Sequence, residues 1–260
     1  MLPSLWIGKT GLDSHSRVID VVAQNVSNAN TTAYKKQRAL FSDLFYQTIR
    51  QPEASAESDS ALPLGLHLGS GSAVESTQTI FTQSKMDKTD HEYDMAINGE
   101  GFFKVVSESG IEYYTRDGHF ILNEDNQLVS TDGHLLQPEV AVESNQKFQV
   151  DQNGKMSVSS PNQGREEIGT ITLYLFSNKS GLDPKGSGLY EASDSSGEAI
   201  PLEANTEGAG KIIGGYLEAS NVNISEELIN MITAQRAFEI NTKVVSASDS
   251  MLSNLNQRIG

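Results

Sequence analysis

Apolar residues recur at an interval of seven at both ends of the chain, and this spacing constrains the fold more than any other feature of the sequence. A seven-residue apolar repeat places one line of side chains along a single face of an α-helix. The spacing predicts a helix from Ser4 to about Ser27 and a second helix over residues 220–260. The two lines consist of Leu5, Leu12, Ile19 and Val26 near the N-terminus, and of Ile224, Met231, Phe238, Val245, Leu252 and Ile259 near the C-terminus.

The second predicted helix carries polar residues that fit its two ends. Asn223 is predicted as the N-cap, and Glu226 stands three residues later, where it can bond back to the cap. Glu226 and Glu227 lie in the first turn and Arg258 in the last, so their charges complement the helix dipole.

The apolar line on each predicted helix is narrow, because the neighbouring heptad positions are mostly polar or small. At about 1.5 Å per residue the helices would be about 36 Å and about 50 Å long, which is too long to be hidden within a domain of this size. We expect them to project, to be poorly ordered in the free monomer, and to become ordered when several subunits bury these lines together. The alternative is a self-contained helical hairpin packed on its own domain.

Charge is distributed unevenly along the 260 residues, whose formal net charge is −15. Residues 1–50 carry +3 and residues 221–260 carry −1, which leaves −17 for the residues between them. Nearly neutral ends and an acidic centre indicate ends that pack against copies of themselves and a centre that stays in water.

The middle of the chain changes to a two-residue pattern of strands and turns. Residues 51–73 are rich in Pro, Ser, Ala, Glu and Gly, and we predict an extended or flexible connector there. Turn pairs that follow indicate short antiparallel strands. These pairs are Asn98-Gly99, Ser109-Gly110, Asp117-Gly118, Asp132-Gly133 and Asn153-Gly154. The predicted strands are 93–97, 101–107, 112–116, 119–122, 127–130, 147–150 and 169–176.

These patterns predict an α+β fold, since no crossover helix alternates with the strands. We assign the first helix and the turn after it to residues 1–50 and the connector to residues 51–73. An acidic, mainly β antiparallel domain takes residues 74–219, and the C-terminal helix takes residues 220–260.

Composition and motifs argue against several classes of function. The acidic charge and the lack of a Lys and Arg stripe argue against nucleic acid as a partner. No segment approaches the roughly 18 apolar residues of a membrane span. The chain has no cysteine, and its five histidines are never three to five residues apart, so no metal site is predicted. No nucleophile, base and orienting group can be named together, so we predict neither an enzyme nor a cofactor.

Lys35, Lys36 and Arg38 form the one basic cluster of the sequence, directly after the first predicted helix. The favoured interpretation is a solvated turn. The alternative is a site that docks on the acidic middle domain of a neighbouring subunit, which would make assembly depend on ionic strength.

Three stretches of the sequence match the pattern of a known protein family. They read NVSNANTTAYK at residues 25–35, DMAI, GFF and YTRDG between residues 94 and 118, and SNVN, EELI and QRAFEIN between residues 220 and 241. On these stretches the chain resembles the bacterial flagellar rod and hook family, and the resemblance spans nearly the whole sequence. The terminal motif residues are Asn25, Asn28, Asn30, Thr31, Tyr34, Lys35, Ser220, Asn221 and Asn223.

Within the family, SLWI at residues 4–7 and DLFYQTIRQP at residues 43–52 most resemble the members that form the distal rod. Proximal rod and hook members are the alternatives. The resemblance implies that the two terminal helices form an antiparallel coiled coil, and that the subunit polymerises helically into a rigid drive shaft that transmits torque to the hook. The residues expected to pack between subunits are Leu5, Leu12, Ile19, Val26, Ile224, Met231, Phe238, Val245 and Leu252.

The resemblance also implies partners and a location. The partners are further copies of the chain, proximal rod and hook subunits, and the P- and L-ring proteins, with no nucleic acid and no membrane insertion. Export would use the flagellar type III apparatus, with assembly in the periplasm. No cleaved signal peptide is expected, because charged residues interrupt any apolar core in the first twenty positions. A rival function of another class is a secreted β domain that binds or hydrolyses the cell wall.

One residue departs from the family pattern. Ala33 stands where the family usually has glycine, and alanine disfavours a positive φ by about 1 kcal/mol. The sequence therefore leaves the geometry of the turn after the first helix open.

Overall fold

A computed structural model describes residues 3–50, 65–142, 146–159 and 164–259. Within these ranges the chain forms an N-terminal helix, a mostly antiparallel β region and a C-terminal helix, which confirms the predicted α+β class. The chain divides into two compact units. Unit 1 contains residues 1–27, 37–79 and 223–260, and unit 2 contains residues 28–36 and 80–222.

Two long helices and a two-stranded ribbon build unit 1. The helices are α1 (Pro3–Ser27) and α2 (Ile224–Ile259), and both lie where the heptad spacing predicts them. The strands are β1 (Gln37–Asp43), β2 (Tyr46–Arg50), β3 (Leu66–Gly69) and β4 (Ser72–Thr79). β1 pairs with β4 and β2 with β3, both antiparallel, and the Leu44 N–H donates to the Gly71 carbonyl over 2.9 Å between the two pairs.

The ribbon forms where the sequence predicts a turn segment and a connector. Residues 51–64 of the predicted connector lie outside the described residues, whereas β3 and the first residues of β4 are strand. All five residues of β2 are exposed, so no alternation of buried and exposed side chains marks the strand. Pairing between distant segments holds it, and local composition does not reveal such pairing. The division of the chain at residues 50, 73 and 219 remains a prediction.

Short strands and one 3-10 helix, Lys179–Gly181, build unit 2. The strands are β5 (Met86–Lys88), β6 (Met95–Asn98), β7 (Phe103–Val106), β8 (Glu112–Thr115), β9 (Phe120–Leu122), β10 (Leu128–Ser130), β11 (Leu135–Leu136), β12 (Lys147–Val150), β13 (Lys155–Ser159), β14 (Arg165–Thr170), β15 (Thr172–Leu175), β16 (Asp183–Gly186), β17 (Leu189–Glu191), β18 (Ile200–Glu203), β19 (Lys211–Gly214) and β20 (Tyr216–Glu218).

Every strand pairing among the described residues of unit 2 is antiparallel, as the sequence predicts. The largest sheet has the order β16-β17-β8-β7-β11-β10-β9. A second sheet has the order β12-β13-β14, and three further pairs join β15 to β18, β19 to β6, and β20 to β5.

The core of unit 2 follows from the two-residue alternation of its strands. On β7, Phe103 and Val105 are buried, while the alternate residues Lys104 and Val106 are only half-buried. Met95 and Ile97 of β6 join the same core. A second, aromatic-rich cluster contains Phe102, Tyr114, Phe176, Leu182 and Tyr190.

Two of the predicted turn glycines illustrate different physical needs. Gly133, between β10 and β11, has φ +84°, and its N–H donates to the Ser130 carbonyl over 2.8 Å, which confirms the predicted turn. Gly118 is required for space, because a Cβ there would lie 1.5 Å from the Met95 carbonyl oxygen.

Candidate functional site

Helices α1 and α2 lie side by side and run antiparallel within unit 1. The Ser248 hydroxyl donates to Ser4 Oγ over 3.2 Å near the start of α1. Asn25 Nδ2 donates to Glu227 Oε2 over 3.2 Å near its end. The start of α1 therefore faces the C-terminal half of α2, and the end of α1 faces the first turn of α2.

Two glycines of α1 allow the helices to approach closely. A Cβ on Gly8 would lie 2.7 Å from Cγ2 of Val245, and a Cβ on Gly11 would lie 2.9 Å from Nδ2 of Asn241. Both distances are shorter than real Cβ contacts, so a side chain at either position would displace its neighbour. Glycine is needed here for helix packing rather than for backbone freedom.

The face of α2 that is buried in unit 1 is a second heptad line, which was not among the residues predicted from the sequence. Glu227, Ala234 and Ser248 are buried and Asn241 is half-buried, at intervals of seven residues. Because these residues are small or polar, a search for apolar periodicity gives no signal for them. Spacing of the small residues along α2, compared with Gly8 and Gly11 in α1, is the signal that could have found the line.

The nine residues predicted to pack between subunits occupy different environments within unit 1. Val245 contacts α1 of its own chain, and the burial of the set between subunits remains a prediction. The half-buried members are Leu5, Leu12, Ile19, Val26, Met231, Val245 and Leu252, and the exposed members are Ile224 and Phe238.

Another apolar stripe on α2 faces solvent. Ile229, Ile240, Val244 and Met251 are 65%, 61%, 41% and 64% exposed, respectively. At 3.6 residues per turn, their spacing of eleven, four and seven residues brings them to one side of the helix. Large exposed apolar surfaces of this kind mark sites of protein association.

Aromatic side chains add to the exposed apolar surface of unit 1. Phe45, between β1 and β2, is 92% exposed, and Tyr46 and Ile49 of β2 are also exposed. On α1, Trp6 is about half exposed, and Nζ of Lys9 lies 5.3 Å from the centre of its ring.

The family-motif residue Asn25 connects three elements of unit 1. Its Oδ1 accepts the Gln37 N–H over 2.9 Å, and its Nδ2 donates to the Gln37 carbonyl over 2.8 Å. The same Nδ2 contacts Glu227 of α2. An amide side chain supplies both a donor and an acceptor. Asn25 therefore bonds to the start of β1 as a neighbouring strand would.

The chain turns sharply after α1, at residues that belong to unit 2. The Thr31 hydroxyl donates to Asn28 Oδ1 over 3.1 Å, and the Thr31 N–H donates to the Asn28 carbonyl over 3.2 Å. Ala33 is buried with φ +55°, and its N–H donates to the Glu218 carbonyl over 2.8 Å. The turn thus keeps a left-handed residue although that residue is alanine. Asn30 is exposed and borders a groove of about 300 Å³.

Lys35 is the buried partner of an ion pair in unit 2. Its Nζ donates to Glu218 Oε1 over 2.7 Å and to the Thr82 carbonyl over 3.0 Å, and the two charged side chains are 0% and 1% exposed. The assignment of Lys35 to a solvated turn or a docking cluster is therefore wrong. Lysine is rarely buried without a partner, and nothing in the local sequence indicates that Glu218 is that partner.

Arg116 brings a second cation to the same carboxylate. Its Nε lies 3.8 Å from Glu218 Oε2, and its Nη1 donates to the Gly99 carbonyl over 2.8 Å. Within the described ranges, these Nε and Oε2 atoms have no hydrogen-bond partner. Burial lowers the pKa of Lys35 and the pKa of Arg116, against the opposing attraction of Glu218.

Asn221 joins three segments of unit 2. Its Oδ1 accepts the Lys36 N–H over 2.7 Å, and its Nδ2 donates to the Ile80 carbonyl over 2.8 Å. Its own N–H donates to the Tyr34 carbonyl over 3.3 Å. We call Lys35, Glu218 and Asn221 the clasp. All hydrogen bonds described for these three residues lie within unit 2.

The motif residues Ser220 and Asn223 have separate roles. The Ser220 carbonyl accepts the Ser84 hydroxyl over 2.7 Å, and Ser220 Oγ accepts the Val222 N–H over 3.3 Å. In unit 1, Asn223 Oδ1 accepts the Ser225 N–H over 3.1 Å, which confirms the predicted N-cap of α2. The reciprocal bond from Glu226 stays a prediction.

Outside the clasp, His119 contacts two acidic residues of unit 2. His119 Nδ1 lies 2.8 Å from Oδ1 of buried Asp94, and the His119 N–H donates to Asp117 Oδ1 over 3.0 Å. Burial raises the pKa of Asp117. Among the residues that the structure describes, no three His, Asp or Glu side chains are grouped to hold a metal ion. Neither described helix is long and apolar enough to cross a membrane.

Two family models match separate parts of the chain. Residues 96–158 match the D1 domain of the flagellar hook proteins FlgE, FlgF and FlgG. Residues 213–258 match the C-terminal region of the flagellar basal-body rod proteins FlgE, FlgF and FlgG. Together with the α+β fold, these matches define the class as flagellar rod and hook proteins.

Relatives that match the whole chain narrow this class. The flagellar basal-body rod protein FlgG of Buchnera aphidicola subsp. Schizaphis graminum is 43% identical over 99% of this chain and 100% of its own length. FlgG of Borreliella burgdorferi is 38% identical over 97% of both chains, and FlgG of Bacillus subtilis is 34% identical over 98% of both. The chain belongs to the family of flagellar basal-body rod proteins and is most like its FlgG members.

Proposed function

We propose that the chain is a structural subunit of the distal flagellar rod, and that it polymerises helically with copies of itself into a rigid drive shaft that transmits torque to the hook. The observation that carries the proposal is the similarity to FlgG proteins along nearly the full length of both chains. The exposed apolar stripe on α2 supports it, because a polymer would cover that surface.

The terminal helices would form the inner wall of this shaft as an antiparallel coiled coil. The contacts of Ser4 with Ser248 and of Asn25 with Glu227 support this arrangement within one subunit. Since the contact uses the small and polar face of α2, the stripe of Ile229, Ile240, Val244 and Met251 stays free for neighbouring copies.

How well α1 and α2 are ordered would depend on assembly. Gly8, Gly11 and Ser248 bring few apolar atoms to the contact between α1 and α2, and burial of apolar area is worth only about 25 cal/mol per Å². Neighbouring copies would supply the missing burial. Hydrogen exchange along both helices should therefore be much slower in the polymer than in dilute monomer. Equal protection in the two states would contradict this part of the proposal.

The family suggests the setting of the assembled subunit. Export would occur through the flagellar type III apparatus without a cleaved signal peptide, and assembly would occur in the periplasm. The partners would be further copies of the chain, proximal rod and hook subunits, and the P- and L-ring proteins. We propose no catalytic role and no cofactor for any residue.

Charge substitutions on α2 test the packing directly. Ile240→Asp places a carboxylate in the exposed stripe, where the free monomer tolerates it but an assembled copy would bury it at a cost of several kcal/mol. Phe238→Asp should act similarly. Ser246→Asp, at an exposed polar position of the same helix, is the matched control.

The measurement is the number of complete basal bodies and of motile cells when each variant is the only copy. We expect the Ser246→Asp control to assemble, and the Ile240→Asp and Phe238→Asp variants to stop before the hook. Motile cells carrying Ile240→Asp and Phe238→Asp would overturn the packing proposal.

A further inference from the structure

Unit 2 is discontinuous in sequence, and this gives it four chain ends. It contains residues 28–36 and 80–222, so the chain enters or leaves it at Asn28, Lys36, Ile80 and Val222. Any force or torque that reaches the strands of unit 2 along the polypeptide passes through these four ends. How the ends are held therefore determines how the unit responds to load.

Asn221 of the clasp bonds three of these ends to one another. Next to the end at Val222, its side chain accepts the Lys36 N–H over 2.7 Å and donates to the Ile80 carbonyl over 2.8 Å. The Ile80 N–H donates in turn to the Lys36 carbonyl over 2.9 Å. Each of these three ends is thus bonded to the other two.

The ion pair of the clasp extends the connection to the fourth end. Residues 28–33 run from that end to Ala33, whose N–H donates to the Glu218 carbonyl over 2.8 Å. The Glu218 side chain holds Lys35, and Lys35 reaches the Thr82 carbonyl over 3.0 Å, two residues from the end at Ile80. Because the ion pair is buried, water does not compete for its bonds.

We propose that the clasp makes the four ends of unit 2 detach together rather than one at a time, so that load carried along the chain is shared among them. The inference that the ends detach together rests only on the hydrogen bonds and the ion pair of the clasp. The load itself rests on the proposed function, because a drive shaft is where this unit would experience torque.

Cooperative detachment is tested on the purified full chain by amide hydrogen exchange. Asn221→Ser removes the side-chain bonds to Lys36 and Ile80, and we expect about tenfold faster exchange at the amides of Ile80 and Ala33, the loss expected from one or two net hydrogen bonds. Neither amide donates to the Asn221 side chain, since Ile80 bonds Lys36 and Ala33 bonds Glu218. Faster exchange confined to the Lys36 amide would overturn the proposal.

Asn123→Ser is the matched control for this experiment. Asn123 is an asparagine of the same unit whose Oδ1 accepts the Gln127 N–H over 2.8 Å and whose Nδ2 donates to the Gln127 side chain over 3.2 Å. Its loss should accelerate exchange near residues 123–127 and leave the four ends unchanged. Equal acceleration at the ends in this variant would mean general loosening, and the proposal would fail.

A second variant guards against simple misfolding. Lys35→Met removes the ion pair without touching Asn221, and it should accelerate the Lys36 and Ile80 amides as Asn221→Ser accelerates Ala33. In the double variant the Ala33 and Ile80 amides should accelerate by one common factor, because a single opening event exposes both. Clearly unequal factors at these two amides would show independent ends and would refute the proposal.

Load is tested on cells that carry Asn221→Ser as the only copy. A bead attached to the flagellum sets the load, which is low for a small bead and high for a large one. We expect a small bead to rotate as in the wild type, and a large bead to stop rotating about tenfold more often, from the same loss of net hydrogen bonds. Normal rotation at high load would remove the load-sharing role and leave the rod function intact. Absence of the wild-type chain from isolated rods would instead remove the proposed function.

Discussion

The ammonium of Lys35 and the carboxylate of Glu218 lie 2.7 Å apart, with side chains 0% and 1% exposed. Arg116 lies on the other side of the same carboxylate, with its Nε 3.8 Å from Oε2. One buried anion therefore faces two buried cations. This imbalance of charge determines which of the three side chains unit 2 can least tolerate losing.

Removal of the Glu218 charge should cost more than removal of the Lys35 charge. Glu218→Gln removes the buried counter-ion that Lys35 and Arg116 share, and we expect a loss of about 3–5 kcal/mol. Lys35→Met leaves Glu218 facing Arg116, and a smaller loss of about 2 kcal/mol is expected. Urea unfolding followed by near-ultraviolet circular dichroism of the tyrosines measures both values.

An exposed ion pair provides the control for this comparison. Lys88 and Asp90 lie 2.6 Å apart with side chains 59% and 73% exposed, so Lys88→Met should leave the urea midpoint unchanged. A Lys35→Met variant that unfolds earlier than Glu218→Gln would contradict the charge argument.

Gly8→Ala should loosen the contact between α1 and α2. The added Cβ would lie 2.7 Å from the stiff, β-branched Val245, and the expected loss is about 1–3 kcal/mol, partly offset by the better helix propensity of alanine. Far-ultraviolet circular dichroism during urea unfolding of the assembled protein measures the change. Val245→Ala in the same chain should recover part of the loss, because it removes the clashing methyl group.

Gly11→Ala is the comparison, since the neighbour there is the rotatable side chain of Asn241. We expect a smaller effect than at Gly8. Equal losses at the two positions would mean that backbone properties of glycine, rather than helix packing, govern both.

Ala33→Gly should stabilise unit 2. Ala33 has φ +55°, where a Cβ costs about 1–2 kcal/mol, and glycine would remove this cost. The greater flexibility of glycine in the unfolded chain should cancel about half of the gain in stability. Ala33→Val should lose at least about 2 kcal/mol, because β-branched residues fit this conformation worst. Thermal unfolding measures both, and a stabilising Ala33→Val would contradict the argument.

Asp117→Asn should raise the melting temperature at neutral pH. Burial raises the pKa of Asp117 above its ordinary 3.8, so the folded chain binds more protons than the unfolded chain between the two values. Stability therefore falls as pH rises through the raised pKa. The advantage of Asp117→Asn should shrink as pH falls toward the ordinary value. Melting curves at several pH values measure it, and a constant advantage would exclude the titration of Asp117 as its cause.

The parts of the fold that depend on local pattern were predictable from the sequence. Heptad spacing located α1 and α2, the side chain of Asn223 marked the start of α2, and Asp132-Gly133 marked a hairpin. Each of these signals acts over a few residues, through helix periodicity, a capping bond or a positive φ.

The parts that depend on distant residues were not predictable. The ribbon requires β2 to meet β3 across a segment of changed composition, and the burial of Lys35 requires Glu218, which is 183 positions away. Asn221 illustrates both cases. Its place in a family motif was visible, but its bonds to Lys36 and Ile80 arise only when three segments come together.

Trp6 is the chain's one tryptophan, and it lies about half exposed on α1. Tryptophan fluorescence therefore reports on unit 1 alone, and no added label is needed. If a second molecule covers that face, the emission maximum should move to shorter wavelength as water leaves the indole. Subunit addition can then be timed in a cuvette with unmodified protein.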